Sequence, residues 1–92
     1  MNQEFDWDDA KAALNLAKHG VPFEEAKTVF ADTLSITVPD PDHSLGEERW
    51  LIIGLSSAGR LLVVCFAERG DVIRLINARQ ATRVEARGYE RG

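Results

Sequence analysis

"RLLVVCFAERGDVIRLINARQ", Arg60 to Gln80, is the stretch on which the fold turns. From Leu61 to Ala67 every residue is apolar and no helical period shows, which reads as a central strand covered on both faces. "ERGD" supplies a turn, and "VIRLINA" a strand running back beside the first. Upstream, "WLIIGLS" meets "RLLVVCFA" through the tight "SAG" connection, making another hairpin. Before it, "LSITV" alternates as an exposed edge strand does, and "PDPDHSLGEER" is a polar loop whose two prolines forbid regular pairing.

Helical signals flank these strands. In "FDWDDAKAALNLAKHG", Phe5 to Trp7 form a short strand or an N-terminal staple. Asp6 or Asp8 then caps a helix running to about Lys18, and Gly20 supplies the left-handed stop. Ala10, Ala13, Leu14 and Ala17 fall at helical spacing and are expected to face inward, while Lys11, Asn15 and Lys18 make a polar stripe on another side. "VPFEEAKTVF" starts a second helix, with Pro22 in its first turn, Glu24 and Glu25 at its positive end, and Asp32 and Thr33 ending it. "QATRVEARGYE" reads as a closing helix, weakened by about 1 kcal/mol at Gly88, so that Tyr89 is expected on a frayed end. The result is an α+β fold of two N-terminal helices, a four-stranded, mainly antiparallel meander sheet and a C-terminal helix.

The 92 residues, 45% hydrophobic and 28% charged, suit one domain spanning 1–92 with a thin core. Cys65 has no second cysteine to pair with and sits in an apolar run, so it reads as a core residue in a reducing compartment. No stretch approaches the roughly 20 apolar residues of a membrane span, and the acidic N-terminus is unlike a signal peptide, so a cytoplasmic location is expected. Net charge is -4, which argues against nonspecific nucleic-acid binding, but the charge is unevenly spread. Residues 1–50 carry eleven acids against Lys11, Lys18, Lys27 and Arg49, whereas six arginines after position 68 face Asp71, Glu85 and Glu90. Every base after Lys27 is arginine, whose planar fork holds phosphate through two hydrogen bonds.

Across nearly the whole chain, "FDWDDAKAALNLAKHGVPFEEA", "GEERWLIIGLS" and "ERGDVIRLINARQATRVEARGYE" resemble the BrnT family, toxins of bacterial toxin-antitoxin pairs. The matching points are Trp7, Lys11, Asn15, Lys18, His19, Gly20, the Phe23 to Ala26 stretch, Glu48, Arg49, Arg74, Ala78, Arg79, Glu85 and Tyr89. Asn77 stands where the family usually has a small hydroxyl residue, and Pro22 where a serine cap is common. The resemblance implies a RelE-like ribonuclease fold, RNA cleavage that lowers translation, and neutralisation by a BrnA-like antitoxin. Operator DNA would be met only through the toxin-antitoxin complex.

Metal-free RNA cleavage needs groups that position the strand, move two protons and offset phosphoryl charge. Arg74 and Arg79 lead for the last task, with Arg69 behind them. Positions 74 and 79 differ by an odd number, so a regular strand sends them to opposite faces. A bulge reconciles them, and so does an early end to the strand, which the absence of a β-branched run in "NARQAT" favours. A structural alternative pairs either arginine with Glu48 or Glu68.

For proton transfer the candidates are His19, because histidine as a type titrates near neutrality, Glu68 if buried, and Tyr89 by the family analogy. His19 can equally serve as a structural helix cap. Lys11, Asn15 and Lys18, with Arg49 and Arg69, read as guides for an RNA strand; Trp7 and Trp50 could stack a base, though core packing suits them better. His43 among Asp40, Asp42, Glu47 and Glu48 lacks metal-ligand spacing, and neither a metal nor a cofactor is expected. Two functions stand: an endoribonuclease toxin, or a noncatalytic protein-binding module and corepressor subunit acting with the antitoxin. A small-molecule enzyme has no supporting motif.

Overall fold

The computed structural model describes residues 3–41 and 47–92, among which five strands form one sheet that, numbered along the chain, runs in the order 1-5-4-3-2. The elements are β1 (Glu4–Asp6), α1 (Asp9–His19), α2 (Phe23–Ala26) running into a 3₁₀ turn (Lys27–Ala31), β2 (Ile36–Pro39), β3 (Trp50–Leu55), β4 (Leu61–Arg69), β5 (Val72–Gln80) and α3 (Arg83–Arg91). Strands β2 to β5 pair antiparallel in meander order, as the turns between them require. The sheet is mainly antiparallel as expected but has five strands rather than four and is mixed, because Glu4–Asp6 pairs parallel with Val72–Arg74. Three residues are too few to show a period, so that strand exists by its partner. Pro39 also pairs, opposite Trp50, at the end of an edge strand where its missing N–H does no harm. His43 lies outside the described residues.

Strand β4 is central, and Leu62 through Ala67 are all buried, as its unbroken apolar run requires. Leu62, Val64 and Phe66 point into the main core with Ile52, Ile73, Leu75 and Ala78, and α2 with its 3₁₀ extension closes that core through Phe23, Ala26 and Val29. Cys65 lies on the opposite side of the strand from Val64 and Phe66. Burial, with the Asp40 carboxylate beside it, pushes its thiol up to about 12, the behaviour of a core side chain and not of a nucleophile.

The register of β5 against β4 slips once. Cys65 faces Asn77 while Phe66 faces Leu75, so Ile76 is an extra residue, a β-bulge. Core positions on β5 are consequently 73, 75 and 78. Arg74 and Arg79, opposite Ala67 and Val63, therefore share the other face. The strand does not end early; it runs to Gln80, and the bulge does the reconciling.

Helix α1 begins at its Asp8 cap, whose carboxylate accepts from the Lys11 N–H, and ends at Gly20 with φ 70°. Its inward face is not the expected one. Ala10, Ala13, Leu14 and Ala17 are exposed, and the residue turned inward is Asn15, 6% exposed. The reason lies in β5: beyond the short β1, its outer edge offers peptide groups that need hydrogen bonds more than apolar cover. Helix α3 starts with a capping box between Thr82 and Glu85 and runs through Gly88 to Arg91. Tyr89 is not frayed, because its hydroxyl donates to Asp32 Oδ2 at 2.6 Å.

Candidate active site

Asn15 fixes α1 against the sheet edge. Its Nδ2 donates to Val21 O (3.0 Å) and Ala78 O (2.9 Å), and its Oδ1 accepts from Ala78 N (3.0 Å), so the amide replaces a missing neighbouring strand. At the other end of the helix, Arg60 donates to Gly20 O (3.1 Å) and through Nε to Glu25 Oε2 (2.9 Å), and Ser56 Oγ donates to the same carboxylate oxygen. These contacts hold the helix terminus that carries His19.

Between α1 and β5 lies an open groove of about 410 Å³ lined by Lys11, Leu14, Asn15, Lys18, His19, Ile76, Asn77 and Arg79. Lys11, Leu14 and Lys18 lie at helical spacing along one edge of α1, and the bulge residue Ile76 with Asn77 and Arg79 forms the opposite wall. Four basic side chains, Lys11, Lys18, His19 and Arg79, thus converge from two elements, with Leu14 and Ile76 as the apolar part of the lining. Such a site suits an extended anion: lysines supply mobile point charges, and arginine a planar fork.

Arg79 is held in place. Its Nη1 donates to Glu85 Oε1 (2.7 Å) and its Nη2 to Glu85 Oε2 (2.8 Å), while Oε1 also accepts from Thr82 N (2.8 Å). The guanidinium, with the Thr82 N–H helping, draws the Glu85 carboxyl down to about 2. The same side chain therefore closes the α3 capping box and orients Arg79, which remains 38% exposed. Neither arginine pairs with Glu48 or Glu68: Arg74 Nη1 stands 3.3 Å from Asp6 Oδ1, its cross-strand neighbour. Arg74 does not line the groove, but it acts electrostatically on Asp8, the cap from which α1 starts.

The other sequence candidates lie elsewhere. Trp7 packs edge-on against Phe23, with centroids 5.8 Å apart, and Trp50 against the core. Arg69 joins Glu47 at 2.9 Å, and Arg49 lies 3.9 Å from the same carboxylate in a separate cleft with Asp40, Glu48 and Trp50. Six strand positions, roughly 20 Å, separate Arg69 from Val63, which faces Arg79. Glu68 is exposed, one residue before the end of β4. Tyr89 is engaged with Asp32, whose carboxylate raises its pKa, so its proton is harder to give up. The anchoring of Asn15 and the Glu85 and Glu25 clamps were not read from the sequence. The motif of Thr82 followed three residues later by Glu85 was the one local signal for any of them.

A family model described as "Ribonuclease toxin, BrnT, of type II toxin-antitoxin system" matches residues 7–85. Among solved structures, the ribonuclease toxin BrnT of Brucella abortus superposes with a TM-score of 0.64 at 22% identity, over 89% of this chain and 100% of that one. No curated protein matches significantly. The family match spans both walls of the groove and the residues that clamp it. By that match this chain belongs to the BrnT family of ribonuclease toxins, which act within type II toxin-antitoxin systems.

Proposed function

We propose that the groove between α1 and β5 is the seat of metal-independent RNA cleavage, with a BrnA-like antitoxin holding it in check. The observation that carries this reading is the convergence of Lys11, Lys18, His19 and Arg79 on one open groove. Cleavage proceeds by attack of a 2′-hydroxyl on the adjacent phosphorus. One proton leaves the 2′-oxygen, one is delivered to the departing 5′-oxygen, and negative charge gathers on the nonbridging oxygens. Arg79, pre-oriented by Glu85, offsets that charge together with a lysine, and His19 handles one of the proton transfers. The lining offers cations and amides rather than the carboxylates a hard divalent ion takes, which supports chemistry without a metal.

A longer strand continues past Arg74 toward Arg69, which alternates onto the same sheet face as Arg74 and Arg79. Binding of operator DNA needs the antitoxin, since this chain carries a net charge of -4.

The second reading, a noncatalytic binding subunit, draws on the pairing of Arg69, Arg74 and Arg79 with Glu47, Asp6 and Glu85. Incubating the purified chain with RNA in excess EDTA separates the two. The ribonuclease reading expects cleavage, reduced about 100-fold by Arg79→Ala. Intact RNA, or an Arg79→Ala chain as active as the wild type, decides for the binding subunit or against the groove.

A further inference from the structure

Helix α1 turns an apolar surface to solvent. With Asn15 pointing inward, a rotation of 100° per residue places Leu16, Ala13, Ala17, Ala10 and Leu14 in sequence around the outer side, an arc of about 160° interrupted only in the first turn, where Asp9 falls between Leu16 and Ala13. All five are exposed, Leu14 by 70% and Leu16 by 49%. One margin of the arc merges through Leu14 with the groove carrying Lys11, Lys18 and Arg79. The other merges through Ala13 and Leu16 with a mainly apolar hollow of about 210 Å³ formed with Trp7, Ala12, Pro22 and Phe23 and bordered by Glu24. Nucleic acid has no use for a ridge of alanines between two leucines. A protein helix does: small side chains let two helix axes approach to the short end of the 8–10 Å range, and leucines at the margins fill the flanks.

We infer that the outer face of α1 is the docking surface for the antitoxin, and that it receives an amphipathic helix with an acidic edge. Charge complementarity fixes the orientation. Lys11 and Lys18 border the apolar arc only on the Leu14 side, so the incoming helix turns its carboxylates there, toward the groove. Apolar contact along Ala10 to Ala17 supplies affinity, and the acidic edge occupies the cations of the groove. One segment thereby both anchors the partner and excludes RNA. The inference rests on the groove as the RNA site only for that last step.

The test is calorimetric titration of the full chain with its BrnA-like antitoxin, in the absence of RNA. Ala17→Glu and the double variant Ala13→Glu/Ala17→Glu alter exposed helical positions outside the groove lining, and both are expected to keep the wild-type circular dichroism spectrum. The double variant is expected to bind the antitoxin about 100-fold more weakly, while cleaving RNA within about threefold of the wild type. Antitoxin affinity within about threefold of the wild type overturns the inference. So does a free chain that sediments as a dimer, loses that dimer in the double variant and keeps its antitoxin affinity, because the face is then a self-association surface. A wild-type chain that cuts no RNA but whose variants still lose the antitoxin refutes the groove reading and upholds the docking surface.

Discussion

The side-chain amide of Asn15 and the peptide unit of Ala78 exchange two hydrogen bonds, at 2.9 and 3.0 Å, across 63 residues of sequence. A single side chain thereby completes the edge of β5 and docks the helix that forms one wall of the groove.

Asn15→Ala leaves the N–H and carbonyl of Ala78, and the carbonyl of Val21, buried without partners. A loss of about 3 kcal/mol is expected in urea unfolding. A loss below about 1 kcal/mol would mean that water or a shifted helix replaces the amide.

The Glu85 carboxyl sits at about 2, below its ordinary 4.5, so the Arg79–Glu85 pair contributes stability that is complete above pH 4.5 and lost as the pH falls toward 2. Allowing for the exposure of Arg79, the contribution is on the order of 1–2 kcal/mol. Unfolding free energy measured from pH 6 to pH 2 is expected to fall more steeply for the wild type than for Glu85→Gln. Parallel curves would show that the pair adds nothing in solution.

Lys18→Ala removes one groove cation from an exposed position. Binding of an RNA analogue lacking the attacking 2′-hydroxyl is expected to weaken, and its slope of log affinity against log salt to shrink by about 0.7. An unchanged slope would mean that Lys18 meets no phosphate.

Gly54 is tightly enclosed where β3 passes the 3₁₀ turn. A Cβ there would stand 2.8 Å from Val29 Cγ1 and 3.1 Å from Ser35 Cβ. Gly54→Ala is expected to cost about 1–3 kcal/mol by chemical denaturation.

Tyr89→Phe removes a donor from Asp32, which still accepts from the backbone N–H groups of Leu34 and Leu55. The thermal midpoint should drop by a few degrees, and RNA cleavage should stay close to the wild-type rate if the groove alone carries the chemistry.

The core strands were legible because burial on both faces leaves an unbroken apolar run, as in Leu61 to Ala67, and because glycine turns separate the strands. The stop at Gly20 was legible, and the cap was narrowed to Asp6 or Asp8, for local reasons, each being set by one or two neighbouring peptide groups. Periodicity misled at α1. An apolar stripe signals contact with something, and here Ala10, Ala13, Leu14 and Ala17 face away from their own core. Within the site, the residue types and the α1 edge were readable. The partners were not, since Asn15 with Ala78, or Asp32 with Tyr89, meet only after the sheet brings distant segments together. Arg74 and Arg79 were recognisable as a pair, but which device reconciled their spacing was decided by backbone hydrogen bonding that no side chain announces.

Ile76 acts as a phase setter for everything that follows it in β5. Pairing it directly with Cys65, so that the extra residue is absorbed into the ladder, would turn Arg79 to the core face of the sheet and carry the peptide groups of Ala78 away from the Asn15 amide. Replacing Ile76 with another side chain keeps the count and so keeps the geometry. The pairing of β5 with β4 at this point is thus under a tighter constraint than the identity of the side chain, and a one-step slip would dismantle one wall of the groove with the composition of the strand unchanged.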